Sequence, residues 1–119
     1  MNTPILVVTS VKRAIAWYEE ILGFDRLFPL EAEADSDDLA YVVLGNDGGA
    51  LHLGRDGDME QSAGHGGFEM TTTDFDGIHA RARDNNVTFY FDICLNPVGC
   101  ENFAIVDPDG NRIIVVRDA

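Results

Sequence analysis

From Pro4 to Arg117 one order of elements runs along the chain twice. Pro4 to Thr9 is a short β-branched run, and Ser10 after it is a helix N-cap residue. Val11, Ile15, Tyr18 and Leu22 then recur at helical spacing, and Gly23 supplies the stop. Three strands follow, Phe24 to Glu31, Leu39 to Leu44 and Ala50 to Gly54. An acidic loop with Glu33, Asp35, Asp37 and Asp38 separates the first two; Asn46-Asp47-Gly48-Gly49 is hairpin-turn chemistry before the third. Beyond the polar stretch 55–64 the order returns: a strand from His65 to Thr72, a helix capped by Asp74 and running to Asn85, and a strand from Val87 to Ile93. Glu101 to Val106, the turn Asp107-Pro108-Asp109-Gly110 and Asn111 to Arg117 form the closing hairpin.

A strand-helix-strand-strand-strand unit of roughly 60 residues cannot bury a sheet face by itself, so two such units are expected to pack as a pair. The 119 residues suffice for one core and not two. The expectation is an α+β fold: a single domain over 1–119, with modules at 1–54 and 65–119 joined by a linker at 55–64.

Charge narrows the partners. With 21 acidic and 8 basic side chains the net charge is −13, and Lys12 is the single lysine. Phosphate backbones and anionic lipid surfaces need clustered Lys and Arg, so no nucleic acid and no membrane partner is expected. No apolar run approaches the roughly 18 residues a membrane span needs, and Met1 to Ser10 lacks the features of a secretory signal, so the expected location is cytoplasmic. Cys94 and Cys100 fit no CxxC pair and read as free thiols.

Several motifs carry less chemistry than they suggest. Gly64-His65-Gly66-Gly67 is Gly-rich, but no Lys-Ser/Thr follows and the segment opens a strand, which speaks against a phosphate loop. Ser10, Ser36 and Ser62 sit in no nucleophile elbow. His79 reads as a helix residue without a role, and the carboxylates of Asp107-Pro108-Asp109-Gly110 read as caps for the bend.

Two stretches resemble a known family. Val11 to Phe24, VKRAIAWYEEILGF, is similar to the first helix of the vicinal oxygen chelate superfamily, and Asn102 to Val116, NFAIVDPDGNRIIVV, to its closing hairpin. That superfamily contains glyoxalase I, extradiol dioxygenases and the bleomycin resistance proteins, and the likeness covers nearly the whole chain. It implies two βαβββ modules in a curled mixed sheet with a concave cup, helices outside, and a homodimer. In metal-dependent members four ligands point into the cup, and the matching positions here are Thr3, His52, Gly67 and Ile114. Of these His52 alone is an ordinary metal ligand. No cofactor is therefore expected; a divalent metal would need a rearranged set of His52, His65 and Glu69.

With the implied geometry, strand alternation puts Thr3, Ile5, Val7, Ala50, His52, Arg112, Ile114 and Val116 on the concave face. Phe28, Tyr41, Phe68, Tyr90, Phe91 and Phe103 flank it. The ligand-binding set is expected to be His52, Phe28, Tyr41, Phe68, Tyr90, Phe103, Arg112 and Ile114, with no catalytic residue. An apolar, aromatic cup in an acidic body suits a small cationic or aromatic molecule, sequestered without metal as in the bleomycin resistance proteins. Two alternatives stand beside this: a metal-dependent lyase, isomerase or dioxygenase, and a non-catalytic interaction domain.

Overall fold

The computed structural model describes residues 4–28, 40–47, 49–59 and 61–118. The first module is β1 (Ile5–Val8), α1 (Val11–Leu22), β2 (Asp25–Phe28), β3 (Tyr41–Asn46) and β4 (Gly49–Arg55). The second is β5 (Gly67–Thr72), α2 (Phe75–Asp84), β6 (Thr88–Leu95), β7 (Glu101–Val106) and β8 (Arg112–Arg117). The repeated order is thus realised element for element. The acidic loop lies outside the described residues.

Local chemistry explains the helix ends. The Ser10 hydroxyl accepts from the Arg13 amide at 3.2 Å, and Gly23, at φ 72°, closes α1 with its N–H on the Tyr18 carbonyl. Asp74 precedes α2 but makes no side-chain cap; its carboxylate instead accepts from Arg81 Nη2 at 2.9 Å. An arginine one face along the helix competes successfully for that carboxylate, so the expected cap is replaced by an ion pair.

The expected curled sheet consists of two mixed four-stranded sheets, ordered β1-β4-β3-β2 and β5-β8-β7-β6. In each, the first strand runs parallel to the fourth, and the other pairs are antiparallel. Several strand bounds differ from the sequence expectation by one or two residues, β3 running on to Asn46 among them. The second module's first strand begins at Gly67 and not at His65, and β6 continues past Ile93 to Leu95. Its partner β7 extends the ladder with Cys94 opposite Asn102 and Leu95 opposite Glu101.

Alternate strand residues join the core cluster, which separates two faces. Leu6 and Val8, Val42 and Leu44, Leu51 and Leu53 are buried on the helix side of the first sheet. Phe103 and Ile105, Ile113 and Val115 do the same in the second, and all join α1 and α2 in one core. The modules are also tied by polar contacts. Asn111 Nδ2 donates to the Val7 carbonyl at 3.1 Å and Thr9 donates to Asp109 at 2.7 Å; within the second module Asn111 Oδ1 also accepts from the Gly66 amide at 2.9 Å.

Candidate functional site

The opposite face of each sheet is the expected concave one. Its occupants follow from the register: Ile5 pairs with His52, Val43 with His52 on the other side, Glu69 with Ile114, and Ala104 with Ile114. Ile5, Val7, Ala50, His52, Arg112, Ile114 and Val116 therefore stand where the alternation expects them. Thr3 lies outside the described residues.

In the first half of this face Tyr41 and His52 form a unit. The tyrosine hydroxyl is hydrogen-bonded to His52 Nδ1, and the rings meet edge to face at a centroid distance of 5.4 Å. Burial pushes the Tyr41 pKa up, so the phenol keeps its proton at neutral pH. With Nδ1 engaged, Nε2 is the nitrogen left for a ligand; when the hydroxyl donates, Nε2 carries the neutral ring's proton. Beside them Ile5, Val7, Met59 and Gln61 line a cleft of about 330 Å³. Met59 occupies the space over Gly54, where a Cβ would lie 2.7 Å from its sulfur.

In the second half Arg112 holds its guanidinium 4.2 Å from the centre of the Tyr90 ring. Gly64, His65, Gly66, Gly67 and Gly110 join Arg112 around a second cleft, of about 420 Å³. Parallel pairing of β5 with β8 sets Gly67 opposite Arg112, which brings the Gly-rich segment to that side chain.

Other expected site residues fall differently. Phe103 is wholly buried on the helix side, packed on Phe75, Phe89 and His79, so it cannot touch a ligand in the cup. Phe68 is on the same side, against Phe24. Both share the strand phase of core residues: Phe68 pairs with Ile113 and Phe103 with Val115. Phe28 and Tyr90 are exposed, at 68% and 57%, and Ile114 is half-buried.

Two of the four positions that the resemblance assigns to metal ligands hold residues without a donor side chain. Gly67 and Ile114 offer no ligating side chain, and among the described residues no three His, Cys, Asp or Glu groups converge in a way that could hold an ion. His52, His65 and Glu69 are not brought together as a triad.

The sequence profile of the Glyoxalase/Bleomycin resistance protein/Dioxygenase superfamily matches residues 1–115. The chain belongs to this superfamily. Several solved superfamily-like structures resemble it throughout. TioX from Micromonospora sp. ML1 superposes with a TM-score of 0.80 at 20% identity, covering 100% of this chain and 96% of that one. A bleomycin-binding protein complexed with bleomycin gives 0.70 at 20%, covering 100% and 98%. Lactoylglutathione lyase from Agrobacterium tumefaciens gives 0.71 at 18%, covering 98% and 92%. At such identities the likeness shows the shared fold. No curated protein sequence matches the chain. Tyr41–His52 and Arg112–Tyr90 are the paired polar and ring groups of the two sheets' faces away from the helices.

Proposed function

We propose that this superfamily member is a small-molecule binding protein that holds an aromatic ligand on the concave face and transforms nothing. What supports this is that Gly67 and Ile114 stand at two of the positions that the resemblance assigns to metal ligands, on a face that also carries Ile5, Val43, Tyr41, Tyr90 and Val116. Apolar and ring surfaces supply affinity through area burial and stacking, at roughly 25 cal/mol per Å² of apolar surface removed from water. His52 adds a directional polar contact. The similar bleomycin-binding protein supports a drug-like ligand.

The cationic character expected from the net charge is not carried by the face itself. By register Asp25, opposite Gly45, and Glu69, opposite Ile114, place carboxylates on it, while Arg112 places a cation there. Aromatic character is what the site favours.

A second copy of the chain is the proposed cover. Leu27, Phe28, Ile93, Leu95 and Val98 are large apolar side chains with 40% to 82% of their surface exposed, more than a lone domain ordinarily shows together. Light scattering after size exclusion should give twice 13.0 kDa, and Phe28→Asp with Leu95→Asp should shift the protein toward monomer.

The function is tested by thermal shift in the presence of EDTA against a panel of aromatic antibiotics, bleomycin included, and then with Ni²⁺, Mn²⁺, Fe²⁺ and Zn²⁺. Stabilisation by an aromatic compound without metal is expected. Stabilisation by metal alone, with a turnover that depends on it, would overturn the proposal and favour a lyase or dioxygenase.

A further inference from the structure

We infer that the cleft between Gly64–Gly67 and Arg112 is an oxyanion subsite, which seats a carboxylate or phosphate group of the ligand. This rests on the small-molecule role proposed above and names the chemistry of one end of that molecule.

Among the described residues Arg112 is unusual in its lack of an acidic partner. In a chain with 21 acidic side chains, Arg26 pairs with Glu19, Arg55 with Asp58, Arg81 with Asp74, Arg83 with Asp92, and Arg117 with both Asp76 and Glu101. Arg13 shares the lack of an acidic partner, but it lines neither of the two clefts. Arg112 is held instead by the Tyr90 ring, which orients the guanidinium plane without using up its N–H donors.

The surroundings suit an anion. His65 lines the same cleft and supplies a second ring N–H. The amides of Gly64, Gly66 and Gly110 already donate to Val7, Asn111 and Asp107, so the side chains of Arg112 and His65 are the donors the cleft offers an anion. Thr9 donates to Asp109 Oδ1, and Asp107 is turned toward Tyr18, so the turn carboxylates are engaged elsewhere. Glu69 stands on the same face two residues along β5 from Gly67, about 7 Å at strand rise.

The net charge of −13 does not oppose this at close range. Beyond a Debye length of about 8 Å at physiological salt most of the body's carboxylates are screened, and Glu69, inside that distance, is opposed by a guanidinium in forked contact with the oxyanion. The acidic body sets the rate of approach, and Arg112 sets what is held.

The test is an NMR titration of the ¹⁵N-labelled full chain with benzoate, benzamide, benzamidine and inorganic phosphate. Benzoate is expected to move the amides of Gly66, Gly67 and Arg112 and to bind about fivefold or more tighter than neutral benzamide. Arg112→Gln should reduce benzoate to the level of benzamide, and Arg112→Lys should restore part of the difference. Phosphate moving the same amides where benzoate does not would support the subsite and identify phosphate as its group. Benzamidine binding as well as benzoate, or benzoate binding unchanged in Arg112→Gln, would overturn the inference alone. If no probe perturbs any concave-face amide, the small-molecule role falls with it.

Discussion

Tyr18, in α1, donates its hydroxyl hydrogen to Oδ2 of Asp107, 89 positions further on, at 2.8 Å. Tyr18 is 0% and Asp107 4% exposed, so no solvent dilutes the contact. Oδ1 of the same carboxylate accepts from the amides of Asp109 and Asn111 at 2.9 and 2.8 Å, which shapes the β7–β8 turn. One side chain both caps a hairpin in the second module and anchors it to the helix of the first.

Tyr18→Phe should therefore lower stability by about 1–2 kcal/mol, the cost of withdrawing one donor from a buried carboxylate that keeps other partners. Burial first, and Asp107 second, raise the folded-state pKa of Tyr18 well above its ordinary 10.0. Above that ordinary value the unfolded chain releases the tyrosine proton and the folded one retains it. Stability contributed by Tyr18 is thus complete below it and falls as pH rises. Urea denaturation should show the gap between wild type and Tyr18→Phe shrinking between about pH 9 and pH 11; a pH-independent gap would contradict this.

Asn111, 0% exposed, joins three partners that no other residue could serve at once: Asp107, Val7 and Gly66. Asn111→Ala should cost about 2–4 kcal/mol through the unpaired groups it leaves. Asn111→Asp should be worse, because it removes the Nδ2 donor and sets a second carboxylate beside buried Asp107. Thermal melts at pH 7 should rank wild type above Asn111→Ala above Asn111→Asp.

Two glycines with positive φ separate steric clash from conformational strain. A Cβ on Gly64, φ +84°, would lie 2.0 Å from the Asp109 carbonyl oxygen, whereas one on Gly57, φ +95°, meets nothing within 4 Å. Gly57→Ala should cost about 1 kcal/mol for backbone strain alone. Gly64→Ala must also displace the β7–β8 turn, so its melting temperature should drop several times further.

Asp47, at the β3–β4 turn, accepts from the Thr73 amide at 3.0 Å and from the hydroxyls of Thr72 and Thr73. These bonds, the Thr73 amide foremost, lower its pKa from the ordinary 3.8. A depressed folded-state pKa means stability present above the unfolded value and lost as pH falls through the folded one. Asp47→Ala should be less stable than wild type at pH 7, and the two should converge in acid below pH 3.8. A gap unchanged in acid would show that the contact acts through shape and not charge.

The elements of this fold were legible because their causes are local. Ser10 and Gly23 bound α1 through contacts within five residues, and strand alternation separates Leu6 and Val8 from Ile5 and Val7. Asp107 and Asp109 were rightly seen as turn residues, but the cross-module bonds to Tyr18 and Thr9 have no signature at that distance. The aromatic positions were hardest to sort. Phe68 and Phe103 have the composition of ligand contacts, and only the phase they share with Ile113 and Val115 assigns them to the core. The Gly64–Gly67 segment has no Lys-Ser/Thr after it and opens a strand, so nothing local links it to an anion; its neighbour Arg112 lies 45 positions beyond Gly67 and is reached through β5–β8 pairing.

The sequence by itself determined the order of elements, their repetition and the alternation of two faces, since periodicity and capping act between residues a few positions apart. Tertiary structure decided which face carries α1 and α2, which carboxylates are spent inside the seam, and which arginine lacks an acidic partner beside a cleft. Those outcomes depend on pairings such as Tyr18 with Asp107 and Gly67 with Arg112. Such contacts between distant positions form only when both modules bury their apolar faces in a common core.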